Sequence, residues 1–208
     1  MRSATKPRKL ASQQRSRATV DALVEATARI LVTGGFDKAS TNRIAEVAGV
    51  SVGSLYQYFP SKEALVVAVA ERHHNDIMEV VRGSVADVIS LPLEQGVRRL
   101  VAVAVDAHRL DPALHGVLAE QIPRSGPLEH IGGVNYEAQS LFREYLGSRV
   151  EDLGSADVQL AAFICATSIE ALAHNAVLHQ ADLFGGEAFE TLIDEATRLI
   201  LGYLVMAR

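Results

Sequence analysis

Apolar residues recur at three- and four-residue spacing along this chain, which is the period of an amphipathic α-helix. The pattern is clear from Val20, Leu23 and Val24 onwards and returns in the later segments. A strand-like alternation bounded by hairpin turns occurs nowhere in the sequence. The sequence therefore predicts an all-α fold.

Glycine, proline and serine residues divide the helical pattern into separate elements. The first helix is predicted from Ala18 to the Gly34-Gly35 pair, because glycine commonly follows the last turn of a helix. Ser51 and Ser61 each precede a helical run and are suited to cap it. The remaining predicted helices cover residues 41–48, 51–59, 62–88, 93–110, 111–122, 129–146, 156–183 and 187–206.

The two short predicted helices, residues 41–48 and 51–59, satisfy the internal constraints of a helix-turn-helix. Ala45 is small where the helices would cross, and Gly49 frees the backbone of the turn from Cβ restraint. The apolar cluster that the two helices would share consists of Ile44, Val50 and Leu55. The alternative is a pair of unrelated short helices in a helical protein.

The second of these helices would span about 12 Å at 1.5 Å per residue, enough to lie across the major groove of DNA. Its outward positions carry hydroxyl, amide and phenol groups, which can hydrogen-bond to base edges or to phosphates. Gly53 would let the backbone approach a duplex. The outward positions are Ser51, Val52, Ser54, Gln57 and Tyr58. An ordinary solvated helix face is the alternative, and for Ser51 a capping role alone.

The net charge of −5 argues against a nucleic-acid partner until its distribution along the chain is considered. Residues 1–72 carry a net charge of +5 and residues 73–208 a net charge of −10. The first 20 residues contain six basic side chains and no acidic one. A basic module beside an acidic one is expected when only the first of them binds a polyanion.

The segment AGVSVGSLYQYFPSKEAL at residues 48–65, with Gly35-Phe36 and Thr41 before it, resembles the signature of TetR/AcrR-family transcriptional regulators. The resemblance extends from about Ala18 to Val69. It implies an N-terminal three-helix DNA-binding domain followed by a larger helical bundle for ligand binding and dimerisation. The implied division is a basic arm at residues 1–17, a helix-turn-helix domain at 18–72 and the bundle at 73–208.

The resemblance also implies roles for individual residues. Thr41 would meet a phosphate at the start of its helix, and Tyr56, Tyr58 and Lys62 would hold the DNA backbone on either side of the groove. The residues that would face the bases are Val52, Gly53, Ser54 and Gln57.

Lys62 has a physical argument of its own. It lies in the first turn of a helix, where the helix dipole disfavours a cation, so an external anion is a plausible reason for it. A solvated surface lysine is the alternative. The basic arm would reach a neighbouring groove or phosphates, with a solubilising tail as its alternative.

A single helix-turn-helix contacts few base pairs, so we expect a homodimer on a near-palindromic double-stranded operator. The resemblance implies that the last two helices of each subunit form the interface. Stripes of small and apolar side chains on these helices support this hypothesis, with internal core as the alternative for each residue. The predicted interface residues are Ile169, Ala173, Ala176, Leu192, Ala196 and Leu199.

The resemblance further implies that the bundle encloses a pocket for a small, mostly apolar effector. Polar side chains on apolar helix faces are the candidates to orient it, and aromatic side chains the candidates for its wall. The predicted pocket residues are His73, His108, Gln121, Phe142, Phe163, Thr167, Glu170 and His174. Each of them has the alternative of a satisfied core group or a surface group.

No cofactor or metal is predicted. His73 and His74 are adjacent and point about 100° apart on a helix, while His174 and His179 are five residues apart. The sequence contains no HExxH motif and no Cys/His cluster. Cys165 is the only cysteine, which excludes a disulfide within the chain.

These observations predict a cytoplasmic, homodimeric, one-component DNA-binding regulator, a repressor released by a small effector. No apolar run approaches the roughly 18 residues that a membrane span needs. A constitutive or activating regulator without a ligand is the first alternative. An enzyme built on an α-bundle is the second, although no arrangement of nucleophile, base and orienting group stands out.

Overall fold

The computed structural model describes residues 8–129, 136–153, 157–180 and 187–206, and the regular elements within these ranges are helices. The helices are α1 (Arg8–Lys38), α2 (Thr41–Ala48), α3 (Val52–Tyr56), α4 (Lys62–Val88), α5 (Leu93–His108), α6 (Pro112–Gly116), α7 (Tyr136–Gly147), α8 (Val158–His179) and α9 (Glu187–Met206). A π-helical turn, Val117–Gln121, continues α6, and a 3₁₀ turn covers Gly126–Leu128. The prediction of an all-α fold is confirmed.

Helix ends agree with the sequence pattern for some elements and not for others. Helices α4 and α9 have the predicted bounds. Helix α1 begins at Arg8, so residues 8–17 of the predicted arm are helical. Gly35, with a non-helical φ of 74° and ψ of 175°, interrupts the helix at its predicted end, and a short helical stretch continues to Lys38. The first seven residues of the arm, the start of the predicted 129–146 helix and both ends of the predicted 156–183 helix include residues outside the described ranges.

Helix α3 is shorter than predicted. It ends at Tyr56 rather than Phe59, because the amides of Gln57 and Tyr58 bond to carbonyls three residues back, those of Ser54 and Leu55. That change from four- to three-residue bonding closes the helix in a turn.

The chain divides into two compact units. Unit 1 contains the described residues up to 73 together with 116–129, and unit 2 contains residues 74–115 and the described residues from 136 onwards. The predicted bundle domain covers residues 73–208. The π-helical turn at Val117–Gln121 packs against α1 and belongs to unit 1. Val117 and Leu118 are buried there, so unit 1 is built from two separate stretches of sequence.

Unit 1 has a core of aliphatic side chains from its helices. Leu23 and Leu31 on α1, Ile44 on α2, Leu55 on α3 and Leu65 on α4 are fully buried. Helix α1 packs on α2, and α2 packs on α3. These two pairings hold α2 and α3 in a fixed relation, which is the arrangement that a helix-turn-helix requires.

Unit 2 is a bundle in which α5 and α7 pack on α8, and α5 and α8 pack on α9. Small side chains on α8, including Ala161, Ala162 and Cys165, are buried and allow its neighbours to approach closely. Burial raises the pKa of the Cys165 thiol to about 12. The thiol is therefore protonated and shielded at neutral pH.

Helix α8 is long and apolar enough, by length and composition, to cross a membrane. In unit 2 it is instead the central packing element, in contact with α5, α7 and α9. The core helix of a bundle meets the same criteria of length and composition, so packing within unit 2 accounts for the apolar character of α8.

Candidate nucleic-acid interface and bundle cavity

The turn between α2 and α3 is defined by caps that the sequence supplies locally. The Ser40 hydroxyl accepts the Arg43 amide at 3.3 Å and caps α2. Gly49 ends α2 in the left-handed conformation, with φ of 68°, and its amide bonds to the carbonyls of α2. The Ser51 hydroxyl accepts the Ser54 amide at 3.1 Å and starts α3. The positive φ of Gly49 is the conformation for which glycine was predicted.

The predicted apolar cluster holds the two helices together. Ile44, Ala45 and Leu55 are buried, and Val50 is half-buried. Ala45 lies on the buried face of α2, where α3 packs closely. A larger side chain at this position would prevent that close packing. Because the inner face of α3 packs on α2, the direction in which its outer face points is fixed as well.

All the residues predicted to contact DNA are accessible. Tyr56 and Tyr58 are 53% and 37% exposed, and the others are exposed or half-buried. The complete set is Thr41, Ser51, Val52, Gly53, Ser54, Tyr56, Gln57, Tyr58 and Lys62. Of these, Gln57 and Tyr58 lie in the turn that follows α3 rather than in the helix.

Hydroxyl groups on this surface position one another. The Thr41 hydroxyl, at the start of α2, lies 3.1 Å from the Tyr56 hydroxyl at the end of α3. The Ser51 and Ser54 hydroxyls lie 2.9 Å apart. Each hydroxyl can both donate and accept, so these bonds leave donors or acceptors for a second partner. Ser51 is already committed to capping, which agrees with the capping alternative for that residue.

Lys62 has partners within the chain that the sequence did not indicate. Its ammonium donates to the Phe36 carbonyl at 3.2 Å and lies 3.8 Å from the centre of the Phe36 ring. The last turn of α1 therefore offers a carbonyl and a ring face, both favourable for a cation. An ammonium has three donors, so the others remain to meet a phosphate.

The start of α4 compensates for the cation at its N-terminus. The Ser61 hydroxyl accepts the Ala64 amide at 3.3 Å. The pKa of the Glu63 carboxyl is lowered by its own backbone amide, by the Ser61 hydroxyl and by Lys62. A carboxylate in the first turn interacts favourably with the helix dipole, so Lys62 is tolerated there without an external anion.

Unit 2 contains a cavity of about 60 Å³ between α4, α5, α7 and α8. Its walls are apolar and include Ile77, Leu100 and Phe142, and the ionisable side chains among its lining residues are His108 and Glu170. A mostly apolar cavity with a few polar groups is the usual form of a small-molecule site.

The predicted pocket residues separate into two groups. His108, Phe142 and Glu170 line the cavity. Phe163, which is 49% exposed, and Thr167 lie on the exposed part of α8. The remaining predicted residues do not line this cavity either: His73 and Gln121 belong to unit 1, and His174 lies half-buried on α8.

On α8 the cavity is lined by Ala166, Ile169 and Glu170. Of the residues of this helix that were predicted to line a pocket, Glu170 does so, whereas Phe163 and Thr167 are exposed.

Most of the residues predicted to form the dimer interface lie inside unit 2. Ile169, Ala173, Ala176 and Ala196 are buried within their own chain, so they have little surface to offer a partner, and Leu192 is half-buried. Leu199 is the exception at 59% exposure. The physical reason is that small apolar stripes on α8 and α9 serve the packing of unit 2 itself. The exposed large apolar side chains on these two helices are Leu160, Phe163, Leu199 and Val205.

His108 is held from both sides. Its side chain is 3% exposed, its Nδ1 donates to the Ala104 carbonyl at 2.7 Å and its Nε2 lies 3.2 Å from the Glu170 carboxylate. Burial acts to lower the pKa of His108, but the hydrogen bond and charge of Glu170 and the Ala104 carbonyl together raise it. Burial likewise acts to raise the pKa of Glu170, and the hydrogen bond and charges of the histidines outweigh it and lower that pKa.

Two further histidines adjoin this pair. His115 Nε2 and His174 Nδ1 lie 3.0 Å apart, and the ring centres of His108 and His115 are 4.9 Å apart. His108 comes from α5, His115 from α6 and His174 from α8. Sequence spacing could not reveal this cluster, because its members come from three helices and the last is 59 residues beyond the second.

A capped helix-turn-helix with an exposed polar second helix, attached to a separate helical bundle, defines a DNA-binding regulator of transcription. The comparisons with known proteins agree. The family model described as "Bacterial regulatory proteins, tetR family" matches residues 23–69, and that described as "Tetracyclin repressor-like, C-terminal domain" matches residues 92–204. The chain belongs to the TetR family of bacterial transcriptional regulators.

Relatives of the chain include both a repressor and an activator. It is 40% identical over 55 residues to the transcriptional repressor KstR of Mycolicibacterium smegmatis, covering 26% of this chain and 27% of KstR. It is 40% identical over 60 residues to the transcriptional activator FasR of the same organism, covering 29% of this chain and 27% of FasR. The chain thus matches about a quarter of the length of each of these relatives.

A solved structure extends the similarity in fold to most of the chain. The fatty acid degradation regulator FadR from Bacillus halodurans is similar with a TM-score of 0.66 and 20% sequence identity, over 89% of this chain and 96% of that one. The fold of both units is therefore one that a solved bacterial regulator also has.

Proposed function

We propose that this protein is a cytoplasmic, homodimeric repressor that binds a near-palindromic operator and is released by a small, mostly apolar effector. The proposal is carried by the accessibility of the helix-turn-helix formed by α2 and α3. The residues that the family resemblance assigns to DNA contacts are exposed or half-buried there. The name of KstR as a repressor supports the direction of regulation, and the name of FasR makes activation the alternative.

The α2–α3 surface would divide its tasks by residue type. Thr41, Tyr56 and Tyr58 offer hydroxyls to phosphates at the edges of a groove, and Lys62 adds its remaining ammonium donors. Gln57 offers an amide that can pair with adenine in the major groove. Phosphate contacts set affinity and its salt dependence, whereas the amide contributes sequence preference.

The test is an operator titration by fluorescence anisotropy at several salt concentrations, using the DNA upstream of the gene for this protein. Lys62→Ala is expected to weaken binding to all sequences alike and to lower the salt slope by about 1. Gln57→Ala is expected to change the preference between operator variants instead. Arg143→Ala, at an exposed position on α7 in unit 2, is the control. Wild-type titration curves for Lys62→Ala would contradict the phosphate contact.

The homodimer would be formed by the exposed apolar side chains of α8 and α9. Phe163 and Leu199 are 49% and 59% exposed, and large exposed apolar groups are the usual centre of an interface. A second copy of the chain is the partner because a dimer places two α3 helices on successive half-sites of an operator.

Phe163→Glu and Leu199→Glu are expected to give monomers in sedimentation experiments, since each buries a charge at the interface. Tyr136→Glu is the control, because Tyr136 is also a large exposed apolar side chain but lies on α7. A dimer that persists in both variants would place the interface elsewhere.

The cavity in unit 2 is the proposed effector site. Its volume of about 60 Å³ is far below the roughly 300–1,000 Å³ of pockets for drug-sized ligands. A larger effector would therefore have to select a wider state of the bundle, and DNA would be released if that state binds the operator less well.

The small cavity equally supports a regulator without an effector, in which unit 2 only dimerises. A thermal-shift screen with small apolar compounds separates the two functions, because a ligand of the native state raises the unfolding midpoint. A compound that raises the midpoint and weakens operator binding supports the effector. Compounds that change neither leave the constitutive regulator as the function.

A further inference from the structure

We propose that His108, His115, His174 and Glu170 form a binding site for a divalent transition-metal ion, with Zn²⁺ as the ion that the donor set suits best. The proposal rests on the geometry of unit 2 alone and does not depend on how the protein binds its operator or effector. Neither the family resemblance nor the predicted pocket includes this combination of residues.

The three imidazoles converge rather than stack. His108, His115 and His174 each offer one ring nitrogen, and these three nitrogens lie within 4.8 Å of one another. Their ring planes meet at 69° to 88°, so the rings do not stack. Imidazole nitrogens are preferred ligands of Zn²⁺ and of neighbouring divalent ions.

Two pairs of the donors are spaced as in a tetrahedral site. Two ligands at 2.0–2.1 Å from a tetrahedral ion lie about 3.3 Å apart. His115 Nε2 and His174 Nδ1 are 3.0 Å apart, and His108 Nε2 and Glu170 Oε1 are 3.2 Å apart. Small rotations of the side chains would bring the two pairs around one ion.

The tautomer of His108 is set for coordination. Its Nδ1 faces the Ala104 carbonyl at 2.7 Å, and a carbonyl can only accept, so Nδ1 carries the proton. In the neutral ring, Nε2 then presents its lone pair toward Glu170. Metal-binding histidines commonly donate their other N–H to a backbone carbonyl in this way, which fixes the ring orientation.

The lone pair of His108 and the Glu170 carboxylate repel each other unless a cation or proton lies between them. The charges also fit a cation, since three neutral imidazoles and one carboxylate would leave a divalent site with a net charge of +1. His108 is buried, whereas the Glu170 side chain keeps 49% of its exposure. An ion therefore has a route from solvent past the carboxylate.

His108 and Glu170 also line the cavity of unit 2. An ion held by them would form part of the cavity wall, where it could attract an oxygen atom of a bound molecule. His115 is the last residue of unit 2 before the chain enters the π-helical turn of unit 1.

The experiment is a Zn²⁺ titration of untagged, chelator-treated protein by isothermal calorimetry. Wild type is expected to bind one ion per chain and to gain thermal stability from it. His174→Ala is expected to bind at least about 100-fold more weakly, since losing a ligand costs no less than losing a partner that orients one. His74→Ala is the control, because His74 is an exposed histidine of unit 2 outside the cluster.

The Co²⁺ complex supplies a readout that does not depend on a folded variant. Intense visible absorption, typical of tetrahedral Co²⁺ with nitrogen ligands, is expected for wild type and for His74→Ala. If wild type and His174→Ala bind Zn²⁺ equally, or if the Co²⁺ spectrum is that of the octahedral aqua ion, the proposal is wrong. The histidines then form only a hydrogen-bonded cluster.

Discussion

The helix-turn-helix of unit 1 and the bundle of unit 2 are both helical, but the contacts that define them connect residues at very different distances along the sequence. The helix-turn-helix of unit 1 is set within a few residues, by serine caps that bond three residues ahead and by Gly49. In unit 2, the Arg98 side chain bonds to Asp194, 96 residues away, and His108 bonds to Glu170, 62 residues away. The DNA-binding role of the helix-turn-helix depends on local contacts and can therefore be inferred from sequence. The binding sites of unit 2 depend on distant contacts, so their inference requires the structure.

The largest expected effect tests whether unit 2 depends on distant packing. A Cβ at Gly96 on α5 would lie 2.5 Å from the Tyr145 Cζ on α7 and closer still to its hydroxyl. Tyr145 is fully buried, so the ring cannot move away freely. Gly96→Val is expected to destabilise unit 2 by about 3 kcal/mol, the upper range for overpacking, in chemical denaturation followed by hydrogen exchange.

Gly83→Val is the control for this substitution, because Gly83 lies in α4 and a Cβ there meets nothing within 4 Å. Equal stability of the two variants would show that the contact between α5 and α7 does not limit unit 2. Faster exchange confined to unit 2 in Gly96→Val would sharpen the distinction between the two units.

A smaller effect tests the local determinant of unit 1. Gly49→Ala creates no clash, since nothing lies within 4 Å of the added Cβ, but it places alanine at φ of 68°. The cost is about 1–2 kcal/mol of backbone strain, with weaker operator binding as the α2–α3 angle relaxes. Gly147→Ala, at a helix end with open space and no positive φ, is expected to be neutral. Unchanged hydrogen exchange of α2 and α3 in Gly49→Ala would refute the local account.

The smallest effect concerns a distant contact that is exposed. Arg98 bonds to Glu190 at 2.9 Å and to Asp194 at 2.9 Å, and the three side chains remain largely accessible. Arg98→Ala is expected to cost less than about 1 kcal/mol, and less still at high salt, because solvent screens such pairs. A loss of stability as large as that of Gly96→Val would mean that charge pairing, and not close packing, holds α5 against α9.

The same distinction explains which predictions from sequence were correct. The bounds of α2 and α4, the turn at Gly49 and the cap at Ser61 depend on residues within one helical turn, and each was predicted. The early end of α3 was missed because no glycine or proline lies between Tyr56 and Pro60 to mark it. Phe163 and Thr167 were wrongly predicted to line the pocket because the polar residues of α8 are spread over several of its faces and do not fix its rotation.

The interface and the histidine cluster show the limit of sequence periodicity more directly. Ala173 and Ala176 lie on a small apolar stripe that serves either a bundle core or a dimer, and only the structure shows that they are buried in their own chain. His115 and His174 have no fixed spacing in any motif, so their approach to 3.0 Å follows from the packing of α6 and α8.

The discontinuity of unit 1 has a practical consequence for the construction of chimeric regulators. Val117, Leu118, Ile122 and Leu128 are buried side chains of unit 1, yet they follow the whole of α5 in the sequence. A DNA-binding module excised at residue 73 would lose these four side chains and expose the face of α1 that the π-helical turn covers. Exchange of specificity between two such regulators should therefore transplant residues 116–129 together with the N-terminal helices, as a single module encoded in two pieces.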